Sequence, residues 1–180
     1  DHGSGLEVDS SDNIYVKGSV YESLNGQTYY ADFGKADLFL VKYNTSGELQ
    51  WTKQFGTSSN DHAQGISVDS TGNIYITGYT EGDLDGITNQ WGENDNFLVK
   101  YDSSGTKKWT QVFGTSEYDI ADSVKADTSG IYVTGFTKGN LDGKTNSGSV
   151  GNYSLNLSKN DIFLVKLIFH YVGFELLKNH

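Results

Sequence analysis

The sequence predicts an all-β chain of three consecutive four-stranded antiparallel units. Three observations predict it. A strand-and-turn signature recurs about every sixty residues, so self-similarity precedes any other reading of the chain. Each copy holds four short strand signals separated by turn residues. The composition, with 22 Gly, 12 Tyr and no Pro, Cys or Met, suits strands and tight turns and leaves few stretches that favour a helix.

The second copy shows the elements in order. Strand a covers 65–69 and is followed by the turn Ser70-Thr71-Gly72. Strand b covers 73–78, and a long loop then runs to Asp95. Strand c covers 96–101, Asp102 to Gly105 turns the chain, and strand d covers 106–113. The a–b block recurs at 5–18, 65–78 and 123–135, the last copy being shorter by a residue at its turn. The c–d block recurs at 37–58 and 95–116, and a third copy starts at Asp161. Asp at the head of each turn accepts hydrogen bonds from the turn backbone, and Gly at its end accepts positive φ. Trp51 and Trp109 occupy the same place in strand d and are expected to pack between units.

The side-chain alternation predicts how the units assemble. In strand b, Ile74 and Ile76 face opposite to Tyr75 and Thr77. In strand c, Phe97, Val99 and Tyr101 face opposite to Leu98 and Lys100. Both faces are apolar or amphipathic, whereas a sheet with one wet face alternates more cleanly. Four-stranded antiparallel units with two buried faces are the blades of a β-propeller. Three blades make an open arc. An uncovered face of about 500 Å² forfeits roughly 12 kcal/mol of gross burial, against a usual net stability of about 5–15 kcal/mol. Neighbouring blades, self-association through the open faces, or marginal stability are the expected consequences. The expected divisions are blade 1 at 1–58, blade 2 at 59–116, and an incomplete blade 3 at 117–166 with a loop insertion at 148–156.

The blocks Val-Asp-Ser-x-Gly-Asn-Ile-Tyr-x-x-Gly, Asp-x-Phe-Leu-Val-Lys-Tyr-Asp-x-x-Gly and Trp-Thr-x-x-Phe-Gly resemble the SBBP family of bacterial β-propeller repeats. The resemblance covers 1–166. The first block is also similar to NHL-type propeller repeats. The resemblance implies multi-bladed propellers in large bacterial exported or surface proteins, and hence an extracellular or cell-surface location. It implies no reaction. After Lys166 the pattern departs, because no Tyr-Asp turn and no Trp strand follow. The aberrant tail, 167–180, is expected to leave blade 3 without a proper fourth strand, unless 167–172 extends strand c or fills that edge.

Composition excludes several classes of function. A net charge of −10 argues against a nucleic-acid partner, since duplex binding needs a basic surface. All 13 basic residues are Lys, so the bidentate Arg clamp for phosphate is absent. Without Cys the redox compartment is undecided. No apolar run is long enough to span a membrane. A start at Asp1, on a repeat boundary and without Met, suggests an excerpt of a longer protein.

Strand direction sorts the connections, placing the short a–b and c–d turns on one face and the variable b–c and d–a loops on the other. Variable loops on a rigid scaffold are the usual home of binding. The expected ligand-binding residues there are Asp61, His62, Asp83, Asp85, Asn89, Trp91, Asp95, Asp142 and Asn146. Asp83, Asp85 and Asn89 form a candidate Ca²⁺ loop, since alternating oxygen side chains can wrap that ion. The loop lacks the Gly and Glu spacing of an EF-hand, and a hydrogen-bonded Asx turn is the competing reading. Asp1, Asp61 and Asp119 recur at the start of strand a, either ringing a channel or capping the d–a loop. His2 and His62 are equivalent, but the third copy has Ile120, which favours a surface or packing role. Trp91, Tyr21, Tyr29, Tyr30, Tyr79 and Tyr153 suit either a glycan-stacking surface or the covering of gaps between blades.

No Ser-His-Asp ordering, nucleophile elbow or phosphate loop is present. Carboxylates of the kind that serve glycoside hydrolysis are accounted for by turn positions. The expectation is a non-catalytic scaffold or protein-interaction module needing no cofactor. The alternative is a carbohydrate- or calcium-binding surface. A hydrolase or lyase site assembled only in a full ring stands behind both.

Overall fold

The computed structural model describes residues 1–89, 94–140, 161–167 and 174–179. Twelve strands form three antiparallel sheets. Blade 1 holds β1 (His2–Val8), β2 (Ile14–Val20), β3 (Asp37–Tyr43) and β4 (Leu49–Phe55), in that order across the sheet. Blade 2 repeats this with β5 (Asp61–Val68), β6 (Ile74–Thr80), β7 (Asp95–Tyr101) and β8 (Lys107–Phe113). Blade 3 has β9 (Asp119–Asp127), β10 (Gly130–Thr137), β11 (Asp161–Leu167) and β12 (Phe174–Asn179). The all-β propeller-blade architecture is therefore present, and the arc is not closed.

Two features correct the sequence reading. Blade 3 does have a fourth strand, supplied by the tail, with Phe174 opposite Leu167 and Asn179 opposite Phe163. The outermost strand pairs on one edge alone, so backbone hydrogen bonding suffices to recruit a segment that lacks the repeat pattern. The first strand of each blade also starts earlier than its apolar pattern suggests. An extra residue (Ser4, Gln64 or Asp122) interrupts the register of the a–b pair in every blade. Such a bulge shifts the alternation by one, which hides the residues before it from a period-two reading. Beside the bulge the strands approach closely, and a Cβ at Gly78 would collide with the His62 carbonyl.

The cores lie between blades. In the first seam Tyr15, Leu38 and Leu40 of blade 1 meet Ile74, Ile76, Phe97 and Val99 of blade 2. In the second seam Tyr75, Leu98 and Phe113 of blade 2 meet Val124, Ile131, Val133, Phe163 and Val165 of blade 3. Each face of the central sheet thus packs on a different neighbour, as its two-sided apolar pattern requires. Trp51 and Trp109 pack on Tyr15 and Tyr75, with ring centroids 6.1 and 6.2 Å apart, and join the first and second cores. The first strands converge, β1 packing on β5 and β5 on β9. No helix of the described residues is long and apolar enough to cross a membrane.

The first seam has a pin of its own. Lys17 is 1% exposed and stands where blades 2 and 3 have Thr77 and Thr134. Its ammonium donates to Ser4 Oγ (2.9 Å) and, across the seam, to the carbonyls of Ala63 (2.9 Å) and Gln64 (2.6 Å). Burial lowers its pKa to about 8. The lysine satisfies the carbonyls that the bulge turns inward.

Candidate functional site

The b–c and d–a connections meet on one face, where β2, β6 and β10 end and β3, β5, β7, β9 and β11 begin. The opposite face carries short turns held by their own Asp residues. Asp69 accepts from the backbone N–H groups of Thr71 and Asn73, from both of their side chains, and from the Tyr75 hydroxyl. Asp9 repeats this with Ser11, Asn13 and Tyr15. In the shorter third copy Asp127 accepts from the Ser129 N–H and hydroxyl, and the Tyr132 hydroxyl pairs with Ser129 instead.

On the loop face the structure separates the expected site residues. Asp61 and Asp95 are 0% exposed, so neither lies on the open surface of the loop face, where the sequence placed them. The reason for Asp61 is local: its Oδ2 accepts from the Thr57 N–H (2.6 Å) and hydroxyl (3.0 Å), so the side chain turns inward to cap the d–a loop. Burial pushes its carboxyl up to about 6, against hydrogen bonds from Thr80 and Thr57. Asp119 caps its loop through Thr115 in the same way, and burial raises its pKa too.

The candidate calcium loop does not gather its oxygens. Asp83 accepts from the Asn89 N–H at 2.8 Å. Asp85 turns away to the Lys107 ammonium, 2.6 and 2.8 Å from its two oxygens, and to the Thr110 hydroxyl. Asp85 (φ 53°) and Gly86 (φ 75°) form the tight reversal of a hairpin turn, latched onto β8. Leu84, 0% exposed, anchors the loop in the first core. Blade 1 uses the same latch, with Asn25 Nδ2 donating to Thr52 Oγ1 at 2.9 Å. The Asx-turn reading accounts for these residues. The groove beside the latch, lined by Asp85, Ile87, Lys107 and Trp109, encloses about 240 Å³, below the ~300–1,000 Å³ of ordinary small-molecule pockets. Trp91, Asp142, Asn146, Tyr153 and the insertion at 148–156 lie outside the described residues.

What the structure assembles on this face is a row of aromatic rings. His62 stands opposite Tyr79 in the β5–β6 pair, with centroids 5.0 Å apart. Tyr79 is 6.5 Å from Tyr118, and Tyr118 stacks on Phe136 at 6.1 Å. The row thus crosses from blade 2 into blade 3. All four residues are half-buried. Lys138 lies over the Tyr118 ring at 4.8 Å. Burial lowers the His62 pKa, opposed by Glu81, and raises that of Tyr79 to about 12. Glu81 acts on both His62 and Tyr79, and Glu117 precedes Tyr118 in the chain. Sequence reasoning named His62 and Tyr79 but missed Tyr118 and Phe136. Tyr79 and Phe136 share a repeat position, and that shared position was the available signal.

Comparison with known proteins agrees with this architecture. The model of the SBBP β-propeller repeat matches residues 50–85. Over 97% of its length the chain is 26% identical to an uncharacterised WD repeat-containing protein of Acanthamoeba polyphaga mimivirus. Over 81% it is 27% identical to the regulatory protein FlaEY of Caulobacter vibrioides. The aligned regions are 15% and 16% of those relatives, so the chain spans a small part of the proteins it resembles. Strand order, two-sided cores and sequence match converge: the chain is built from β-propeller repeats, with the SBBP repeat recognised at residues 50–85.

Proposed function

We propose that this chain is a non-catalytic interaction module within a larger protein, and that its loop face receives a protein partner along the row His62, Tyr79, Tyr118 and Phe136. The observation that carries the reading is the row itself, four half-buried rings laid across a blade boundary. Half-buried aromatics supply large contact area at small entropic cost and dominate binding energy where they cluster. The chain's charge of −10, with Glu81 and Glu117 beside the row, favours a partner segment that is apolar or aromatic with flanking Lys or Arg. An exported or surface setting is part of this proposal and is supported by the likeness to the bacterial repeat family. The names of the relatives point to a repeat and to regulation rather than to a reaction.

A second reading is favoured by the same rings, which suit stacking on sugars. Selection from a displayed peptide library, run beside a glycan array, separates the two. Under the proposal peptides are enriched, and Tyr79→Ala with Tyr118→Ala weakens them at least ~30-fold, about 2 kcal/mol. Enriched glycans and no peptides would replace the protein partner by a carbohydrate. Ligands indifferent to both substitutions would discard the row.

A further inference from the structure

The seams between blades hold paired carboxylates that neither the packing nor the aromatic row uses. Asp37 opens β3 of blade 1, Asp61 opens β5 of blade 2, and both are 0% exposed. The Asp61 N–H donates to the Ala36 carbonyl at 2.9 Å, tying the two strand starts across the seam. One oxygen of each carboxylate is satisfied. Asp37 Oδ2 accepts from the Tyr30 N–H (2.7 Å) and from the Gln54 amide (2.9 Å). Asp61 Oδ2 accepts from Thr57, as described above. The other oxygen of Asp37, Oδ1, is buried without a hydrogen-bond donor. Gly56 lies between the two groups, and a Cβ there would come within 2.6 Å of Asp37 Oδ1 and 2.9 Å of Asp61 Oδ2. Neither residue forms an ion pair with a lysine among the described residues.

The second seam has the same backbone tie. The Asp119 N–H donates to the Asn94 carbonyl at 3.1 Å. A Cβ at Gly114 would come within 2.5 Å of Asp95 Oδ1 and 2.9 Å of Asp119 Oδ2.

Two carboxylates facing each other in a dry seam repel, and burial of each charge is costly without a counter-charge. The donors are all oxygen, which selects a hard cation over zinc or copper. A sealed site disfavours Mg²⁺, which holds its water tightly, whereas Ca²⁺ accepts irregular shells of carboxylate, hydroxyl and carbonyl oxygens. Two carboxylates also match its double charge. We propose that the first seam is a calcium site, with Asp37 and Asp61 as its carboxylate ligands. Among the described residues no three His, Cys, Asp or Glu side chains gather at one point. Neutral oxygens therefore complete the shell, and Thr57 Oγ1, 3.0 Å from Asp61 Oδ2, is one of them.

The test is equilibrium dialysis and thermal melting of the whole chain with Ca²⁺ at about pH 7.5, where free carboxylates are ionised. The wild type is expected to bind one ion. Its melting temperature is expected to rise by roughly 5–10 °C at about 100 times Kd. Asp37→Asn should bind none. The loop variant Asp83→Asn with Asp85→Asn should keep the ion. Far-UV circular dichroism of each variant in chelator checks that it folds, and the wild-type titration decides without any variant. No bound Ca²⁺ and an unmoved melting temperature would overturn the proposal and leave a shared proton as the bond between the carboxylates. So would an ion lost in the loop variant but kept in Asp37→Asn.

Discussion

Blades 1 and 2 carry nearly the same strands, yet bury them differently. Ile66 and Val68 of β5 pack against the first core, while their equivalents Leu6 and Val8 in β1 are 63% and 47% exposed. The other end of the arc is similar. Ile162 of β11 is 57% exposed, while Leu38 and Asn96 at the same repeat position are 0%. Burial at these positions follows from having a neighbouring blade. A strand pattern therefore reports the environment that a blade is built for, whether or not that environment is supplied.

The sharpest way to break this comparison is to cut one apolar group from each blade. Ile76→Ala empties a site with 0% exposure and should cost about 2–5 kcal/mol in urea unfolding. Leu6→Ala should stay within about 0.5 kcal/mol. Equal costs would mean that blade 1 is covered in solution. Next in size is the seam pin. Lys17→Met strands the Ala63 and Gln64 carbonyls and should lower stability by about 1–3 kcal/mol, read from the same transition. The turns come third. Asp69→Ala removes five hydrogen bonds and Asp127→Ala two. The first should cost about 1–2 kcal/mol and the second distinctly less.

The smallest effect is the pH profile in chelator. Burial pushes Asp69 upward, but hydrogen bonds from Asn73, Thr71 and Tyr75 outweigh it and hold its carboxyl down at about 2. Its contribution is present above the ordinary carboxylate range and is lost as pH falls through 2. Asp61 has the opposite sign. Its folded pKa of about 6 favours the protonated form, so its contribution is full below about 4 and is lost as pH rises through 6. Urea midpoints from about pH 2 to about pH 7 should therefore peak near pH 4. Midpoints that climb steadily to neutrality would show that Asp61 is ionised in the fold.

The fold was legible because the period marks equivalent residues and the turn chemistry is local. Asp69 and Gly72 announce their hairpin whatever surrounds them. The site was less legible because a period does not tell which equivalents meet. Asp61 and Asp119 were visible as recurring, and so was the Asp-x-Phe-Leu-Val-Lys block that starts at Asp37 and Asp95. Nothing in their spacing tells that they face each other across Gly56 and Gly114. Tyr118 meets Phe136 diagonally across the β9–β10 pair, but it touches Tyr79 only because the head of blade 3 lies beside strand b of blade 2. Lys17 reads as a surface lysine until the bulge carbonyls across the seam are in place. The calcium loop failed for a similar reason: Asp85 had a cation waiting on β8, 22 residues away.

The recruited strand β12 has a further consequence. The outermost rung of a blade asks of its occupant an extended backbone and little else, since it lines no seam until another blade arrives. Gene fusions, frameshifts and splice boundaries that fall after the third strand can therefore be absorbed by the fold. Arrays of such units can gain or lose members at their ends while the interior stays intact. In proteins that grow by tandem duplication, that tolerance makes the rim of a blade the natural place for one sequence to stop and another to begin.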